Sequence, residues 1–210
     1  MSKLDEVFKL VSIGKPKLIA AAVQAALDEG TEASVILDTM IDAMGEVGEK
    51  FKREEIFVPE MLVAAKAMKK GVEVLKPHLA SGAAGAAGKV IIGTVAGDLH
   101  DIGKNLVAMM IESAGFEVID LGVDVPAEKF VETYQANPDT KIIALSALLT
   151  TTMPALRDAV ALLNAQGFRK DIHVMVGGAP INEEFAKEIG ADAYTIDAAS
   201  AAQKAKEFVA

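Results

Sequence analysis

The chain has 210 residues and a formal net charge of −9, and 51% of it is hydrophobic, enough apolar material for one or two domains with a buried core. It contains no cysteine, which excludes disulfides, thiolate metal centres and cysteine nucleophiles, and its acidic balance argues against phosphate-driven nucleic-acid binding. Aromatic residues make up 5% with no tryptophan, too few for base-stacking platforms. The opening Met1-Ser2-Lys3-Leu4-Asp5-Glu6 turns acidic without an apolar signal core, and no apolar run approaches the ~20 residues of a membrane span, so a cytoplasmic protein with no membrane partner is expected.

Apolar residues recur at helical spacing through the first part of the chain and predict four helices. The first covers Leu4 to Ser12. The second starts near Pro16, a residue suited to a first helical turn, and stops near Gly30. The third runs from Thr31, its expected N-cap, towards Phe51. The fourth starts at Val58-Pro59 and continues to about His78, with Pro77 as a stop signal. Short connections predict a bundle. Ser81 to Gly88 is built only of serine, glycine and alanine and reads as a linker, dividing a helical domain, 1–86, from a second domain, 87–210.

Beyond the linker, β-rich runs alternate with helical stretches. Strands are expected at Val90–Val95, Glu117–Leu121, Lys141–Leu145, His173–Val176 and Ala193–Ile196. Helices are expected at Ile102–Ala114, Ala127–Gln135, Pro154–Gln166 and Glu183–Ile189, with a last one ending the chain. Five βα units predict an α/β doubly wound parallel sheet of flavodoxin-like order 2-1-3-4-5, with a ligand beyond the carboxyl ends of the strands.

Three of those ends carry candidate chemistry. The first is Gly97-Asp98-Leu99-His100-Asp101-Ile102-Gly103, the second Ser146-Ala147-Leu148-Leu149-Thr150-Thr151-Thr152, the third Gly177-Gly178. His100 is a good transition-metal ligand, yet a single histidine does not build a zinc site; it suffices where a macrocycle supplies the other ligands. Asp98, two residues earlier, suits the carboxylate that fixes a ligating imidazole's tautomer. Gly103, Gly177 and Gly178 allow close approach of a bulky group, and Ser146, Thr150 and Thr152 offer uncharged hydroxyls. Taken singly, Asp-x-His equally fits a capping pair on a solvated loop, and Gly-Gly fits a plain turn. No P-loop or Gly-x-Gly-x-x-Gly turn is present. His78 and His173 read as structural or solvated.

Asp98-x-His100-x-x-Gly103, Ser146-x-Leu148 and Gly177-Gly178 resemble, in order and spacing, the signature of base-off, His-on cobalamin-binding domains. Val47-Gly48-x-x-Phe51 and Phe57-Val58-Pro59-Glu60-Met61 resemble the helical cap of that family's methyltransferase branch. The chain is similar to the cobalamin modules of methionine synthase and, in size, to free-standing corrinoid proteins of methanol, methylamine, betaine and aryl-ether demethylation systems. The resemblance implies that His100 replaces the cofactor's own base below the cobalt and that Asp98 holds the other ring nitrogen. Thr152 would stand where the family's relay often ends in serine. Asp101, Ile102, Gly103, Ser146, Leu148, Thr150, Gly177 and Gly178 would line the cofactor's tail. Phe51, Val58, Met61 and Leu62 would cover its upper face, although by themselves all four fit an ordinary bundle core. Position 58 is often leucine in the family, so valine implies a slightly smaller lid.

The implied role is that of a methyl carrier without enzymatic activity of its own, cycling between Co(I) and methylcobalamin. Its implied partners are a substrate-specific methyltransferase, a second methyltransferase using tetrahydrofolate or a thiol, and a reductive corrinoid activator. A methoxylated aromatic donor is the leaning, making the system an O-demethylase, with methylamine, betaine or methanol as alternatives. Rival readings are the cobalamin subunit of a radical mutase, a cobalamin-dependent sensor, and a flavodoxin-like module without cobalt.

Overall fold

A computed structural model describes residues 2–79 and 87–210. The expected linker and the expected boundary after residue 86 fall largely on residues 80–86, outside the described part. The described chain forms two compact units.

The first unit contains helices α1 (Lys3–Ser12), α2 (Ile19–Asp28), α3 (Ala33–Lys52) and α4 (Val58–Leu75), followed by a 3-10 turn, Lys76–His78. Each helix buries one stripe: Val7 and Val11 from α1, Ile19 and Val23 from α2, Ile36, Met40, Met44 and Val47 from α3, and Met61, Met68 and Leu75 from α4. The start of α1 is set by a capping box in which Asp5 N–H donates to Ser2 Oγ and Ser2 N–H to Asp5. At α4, Phe57 N–H donates to the Glu60 carboxylate at 3.1 Å, and Pro59 occupies the first turn, where no backbone donor is needed.

Two expectations at helix starts are corrected. Pro16 belongs to a turn closed by Leu18 N–H donating to Lys15 O, so α2 begins three residues later, at Ile19. Thr31 is not the cap of α3: Glu32 stands in extended backbone before Ala33, and its side chain makes no capping bond.

The second unit alternates β1 (Lys89–Thr94), α5 (Ile102–Ser113), β2 (Glu117–Asp120), α6 (Ala127–Ala136), β3 (Thr140–Ser146), α7 (Met153–Asn164), β4 (His173–Gly177), α8 (Glu183–Ile189), β5 (Ala193–Tyr194) and α9 (Ala198–Val209). The sheet has the order β2-β1-β3-β4-β5 and every pairing is parallel, the flavodoxin-like arrangement expected. Side chains alternate between faces, so Ile91, Ile143, Leu145, Val174 and Val176 share one core with Phe130, Leu156, Val160 and Phe185 from α6, α7 and α8. Val90, Ile92, Ile142, Ala144 and Met175 are buried on the opposite face, which explains why the central strands read as unbroken apolar runs.

The chain leaves β1 in one direction, to β2, and then returns past it to β3. This reversal separates the connections after β1 and β3 and opens a crevice at their carboxyl ends. β5 stops two residues before its expected end, and Ile196 lies 79% exposed beyond it.

Candidate cobalamin site

The loop after β1 enters the crevice with Asp98 pointing inward and His100 pointing outward. The Asp98 side chain is completely buried, while that of His100 is 48% exposed. Asp98 Oδ1 accepts from the His100 backbone N–H at 3.1 Å and lies 2.7 Å from His100 Nδ1. Its Oδ2 accepts from Leu148 N–H at 2.7 Å, Leu149 N–H at 3.3 Å and Thr152 Oγ1–H at 2.7 Å. Thr152 also lies 2.9 Å from Leu149 O, but its single proton goes preferentially to the charged acceptor.

Burial alone would raise the Asp98 pKa. Hydrogen bonds from Leu148 N–H, the Thr152 hydroxyl and the His100 ring and backbone outweigh that effect and hold the carboxyl well below the ordinary carboxylate range. An ionised Asp98 accepts a hydrogen bond from Nδ1–H, which leaves the lone pair of the imidazole on Nε2. Asp98 therefore does not cap the following helix. That place belongs to Asp101, whose carbonyl accepts Asn105 N–H at 2.7 Å and whose carboxylate accepts the Asn105 side-chain amide at 3.1 Å.

The other expected residues lie on the same strand ends or beside them. Ser146 ends β3, facing Thr94 of β1 and Gly177 of β4 in the sheet register. Leu148 follows it, and Thr150 opens the 3-10 turn that Thr152 closes. Gly178 has φ +127°, and a Cβ there would stand 1.9 Å from Ala147 O, so only glycine brings the β4 end this close to the β3 end. Gly103 is different: a Cβ there would meet nothing within 4 Å, so the chain's own packing does not require glycine. Ile102 is 85% exposed and Leu99 72%, so exposed apolar residues precede and follow His100 in the chain.

Phe51, Val58, Met61 and Leu62 lie in the helical unit. Phe51 is half-buried near the end of α3, and Val58 and Leu62 are partly exposed on the first turns of α4 beside a largely exposed Phe57. Met61 is fully buried.

Two contacts escape a reading of motifs. Thr94, at the end of β1, is completely buried and donates its hydroxyl to His100 O at 2.9 Å. Asp124, after β2, accepts Gly97 N–H on Oδ1 at 2.7 Å and donates its own N–H to Asp98 O at 3.0 Å. Asp124 has φ +53°, uncommon for a residue other than glycine, and that conformation is the signal of its position. Among the described residues, no group of three or more histidine or acidic side chains is placed to hold a metal ion by itself.

A histidine with one nitrogen fixed by a buried carboxylate and the other facing outward, beside exposed apolar side chains and a glycine-lined strand end, fits a ligand that brings its own metal and its own macrocycle. The chain belongs to the B12 binding domain family: the α/β part matches it over residues 88–205 and the helical part matches a second B12 binding domain over residues 4–76. It is thus a cobalamin-binding protein.

Its relatives are corrinoid proteins. It is 44% identical over 209 residues to dimethylamine corrinoid protein 1 of Methanosarcina acetivorans, covering 99% of this chain and 97% of the relative. The crystal structure of a cobalamin-binding protein from Desulfitobacterium hafniense superposes with a TM-score of 0.84 at 32% identity, covering 99% of this chain and 98% of the other. A methanol:cobalamin methyltransferase complex from Methanosarcina barkeri contains a chain that superposes at 0.86 and 29% identity, over 99% of this chain and 79% of that one. No described helix is long and apolar enough to cross a membrane.

Proposed function

We propose that the chain holds cobalamin through His100 Nε2 and carries methyl groups between methyltransferases, the first of which draws on a methylated amine. The observation that carries this reading is the line from Thr152 Oγ1 through Asp98 to His100 Nδ1, which ends on an outward-facing Nε2. The bound cofactor supplies a cobalt that takes up and releases a methyl group.

The chain's residues present the ligand and manage its charge. Ionised Asp98 keeps the proton on Nδ1, so that Nε2 offers its lone pair. The same carboxylate, 2.7 Å from Nδ1, would balance the charge of the ring in its protonated form, so the chain can hold either state of the imidazole. Thr152 holds Oδ2, so that Oδ1 stays aimed at the ring. Gly177 and Gly178, with Ser146, Leu148 and Thr150, line the slot for the nucleotide tail, and Asp101, Ile102 and Gly103 border it. The four helices of the first unit are proposed as the cofactor's cap. Their partly exposed apolar Val58 and Leu62, and the half-buried Phe51, support that role. Met61 acts from inside the bundle by holding α4 in shape.

The amine donor is supported by the likeness to a dimethylamine corrinoid protein. The methoxylated aromatic donor, a leaning that no feature of the sequence derives, has no such support, and methanol is the runner-up through the methanol:cobalamin complex. The remaining proposed partners are a second methyltransferase that would use a folate or a thiol acceptor and a reductive corrinoid activator. The reading is tested by loading the full chain with cobalamin, reducing it, and supplying methylamine, methanol and aryl-ether methyltransferases with their substrates. Methylation with a methylamine is expected. Methylation only with methanol or an aryl ether would overturn the donor assignment.

A further inference from the structure

Thr94 and Asp124 hold the loop that carries His100 from outside the Asp-x-His signature. Thr94 is completely buried, and its backbone is committed to the sheet edge: its N–H donates to Gly122 O and its carbonyl accepts Val125 N–H, both at 3.0 Å. Valine has the same shape and a strand preference, so a buried threonine at this point is favoured over it only if the hydroxyl is bonded. It is bonded, to the carbonyl of His100.

Asp124 acts at the other end of the loop. Its carboxylate takes Gly97 N–H and its backbone N–H takes Asp98 O, an exchange that depends on its left-handed φ of +53°. The backbone is therefore pinned before Asp98 by Asp124 and after it by Thr94, while Asp98 itself fixes the ring.

We propose that Thr94 and Asp124 are positioning residues for His100, holding the backbone on both sides of Asp98 so that Nε2 is in place before a cofactor arrives. The proposal rests on the reading of His100 as the lower ligand. Ligand presentation by a preformed loop strengthens binding by removing an ordering cost.

The test uses the full chain with Thr94→Val, Thr94→Ser, Asp124→Gly and Asp124→Asn, each alone and combined with His100→Gly. The readouts are the Kd for aquacobalamin and the visible spectrum of the bound form. Thr94→Val and Asp124→Gly are expected to weaken binding by about five- to tenfold and to shift the spectrum towards the form lacking the histidine ligand. Thr94→Ser keeps the hydroxyl, and Asp124→Asn keeps the acceptor oxygen and tolerates the left-handed conformation, so both should stay near wild type. In the His100→Gly background all four should change affinity by less than about twofold, because the group they position is gone.

Wild-type affinity and spectrum in Thr94→Val and Asp124→Gly would overturn the proposal, as would losses of equal size in the His100→Gly background. Asp124 is exposed, so its variants decide the matter even if Thr94→Val fails to fold. A His100→Gly chain with wild-type spectrum and affinity would remove the ligand reading itself and the proposal with it, a result separate from the other two.

Discussion

At the residue scale, the site is organised around one carboxylate that accepts five hydrogen bonds, one of them from Thr152. Thr152→Val removes the buried hydroxyl while keeping the shape, and should lower stability by about 1–2 kcal/mol in urea unfolding. Thr152→Ser retains the bond and should lose less than about 1 kcal/mol, the cost of one methyl group. The depressed pKa of Asp98 gives its stabilisation a definite pH window. The contribution is complete above the unfolded carboxylate value of about 4 and is lost as pH falls through the lower folded value. The stability gap between wild type and Asp98→Asn, measured by urea midpoints, should therefore be flat from neutral to about pH 5 and shrink on further acidification.

Asp98 and His100 were legible in the sequence because they are two residues apart on one loop and their chemistry is local. Thr152 was legible from its position as a hydroxyl at a strand end, but its partnership with Asp98 only through resemblance, since that bond spans 54 residues. Thr94 and Asp124 carried no such mark. A threonine in a strand and an aspartate in a turn are ordinary until folding brings them against groups 6 and 27 residues away in the chain.

At the scale of elements, the crevice depends on where α5 and β2 stand beside β1. Lys104 of α5 is buried and donates to Asp120 at the end of β2, at 2.6 Å to Oδ1, and to Asn105 Oδ1 at 2.7 Å. The Lys104 side chain is 1% exposed, whereas that of Asp120 is 39% exposed. Removing each partner should thus have unequal effects. Asp120→Ala strands a buried ammonium and should destabilise by about 3 kcal/mol, while Lys104→Met leaves a carboxylate that water can reach and should cost about 1 kcal/mol. Thermal or urea unfolding of the two variants checks the order. The pattern of elements was readable because strands of period two and helices of period 3.6 bury different stripes. The start of α2 and the end of β5 were not, because local turn bonding at Lys15–Leu18 and the loss of a pairing neighbour after Tyr194 decide them.

At the scale of the molecule, the proposed division of labour gives the α/β unit the cofactor and the helical unit its cover. A chain limited to residues 87–210 should still bind cobalamin through His100, while its methylated form should lose the methyl group to light faster than the full chain does. Equal photolysis rates would speak against a cap. The claim beneath all of this is a bond from His100 Nε2 to cobalt, and it has a direct spectroscopic signature. In Co(II)-cobalamin bound to protein labelled with 15N-histidine, electron paramagnetic resonance should show each cobalt line split into a doublet by the labelled imidazole, and His100→Gly should abolish it. A triplet unaffected by the label would mean that the cofactor's own base occupies the lower face, and that His100 does not ligate the metal.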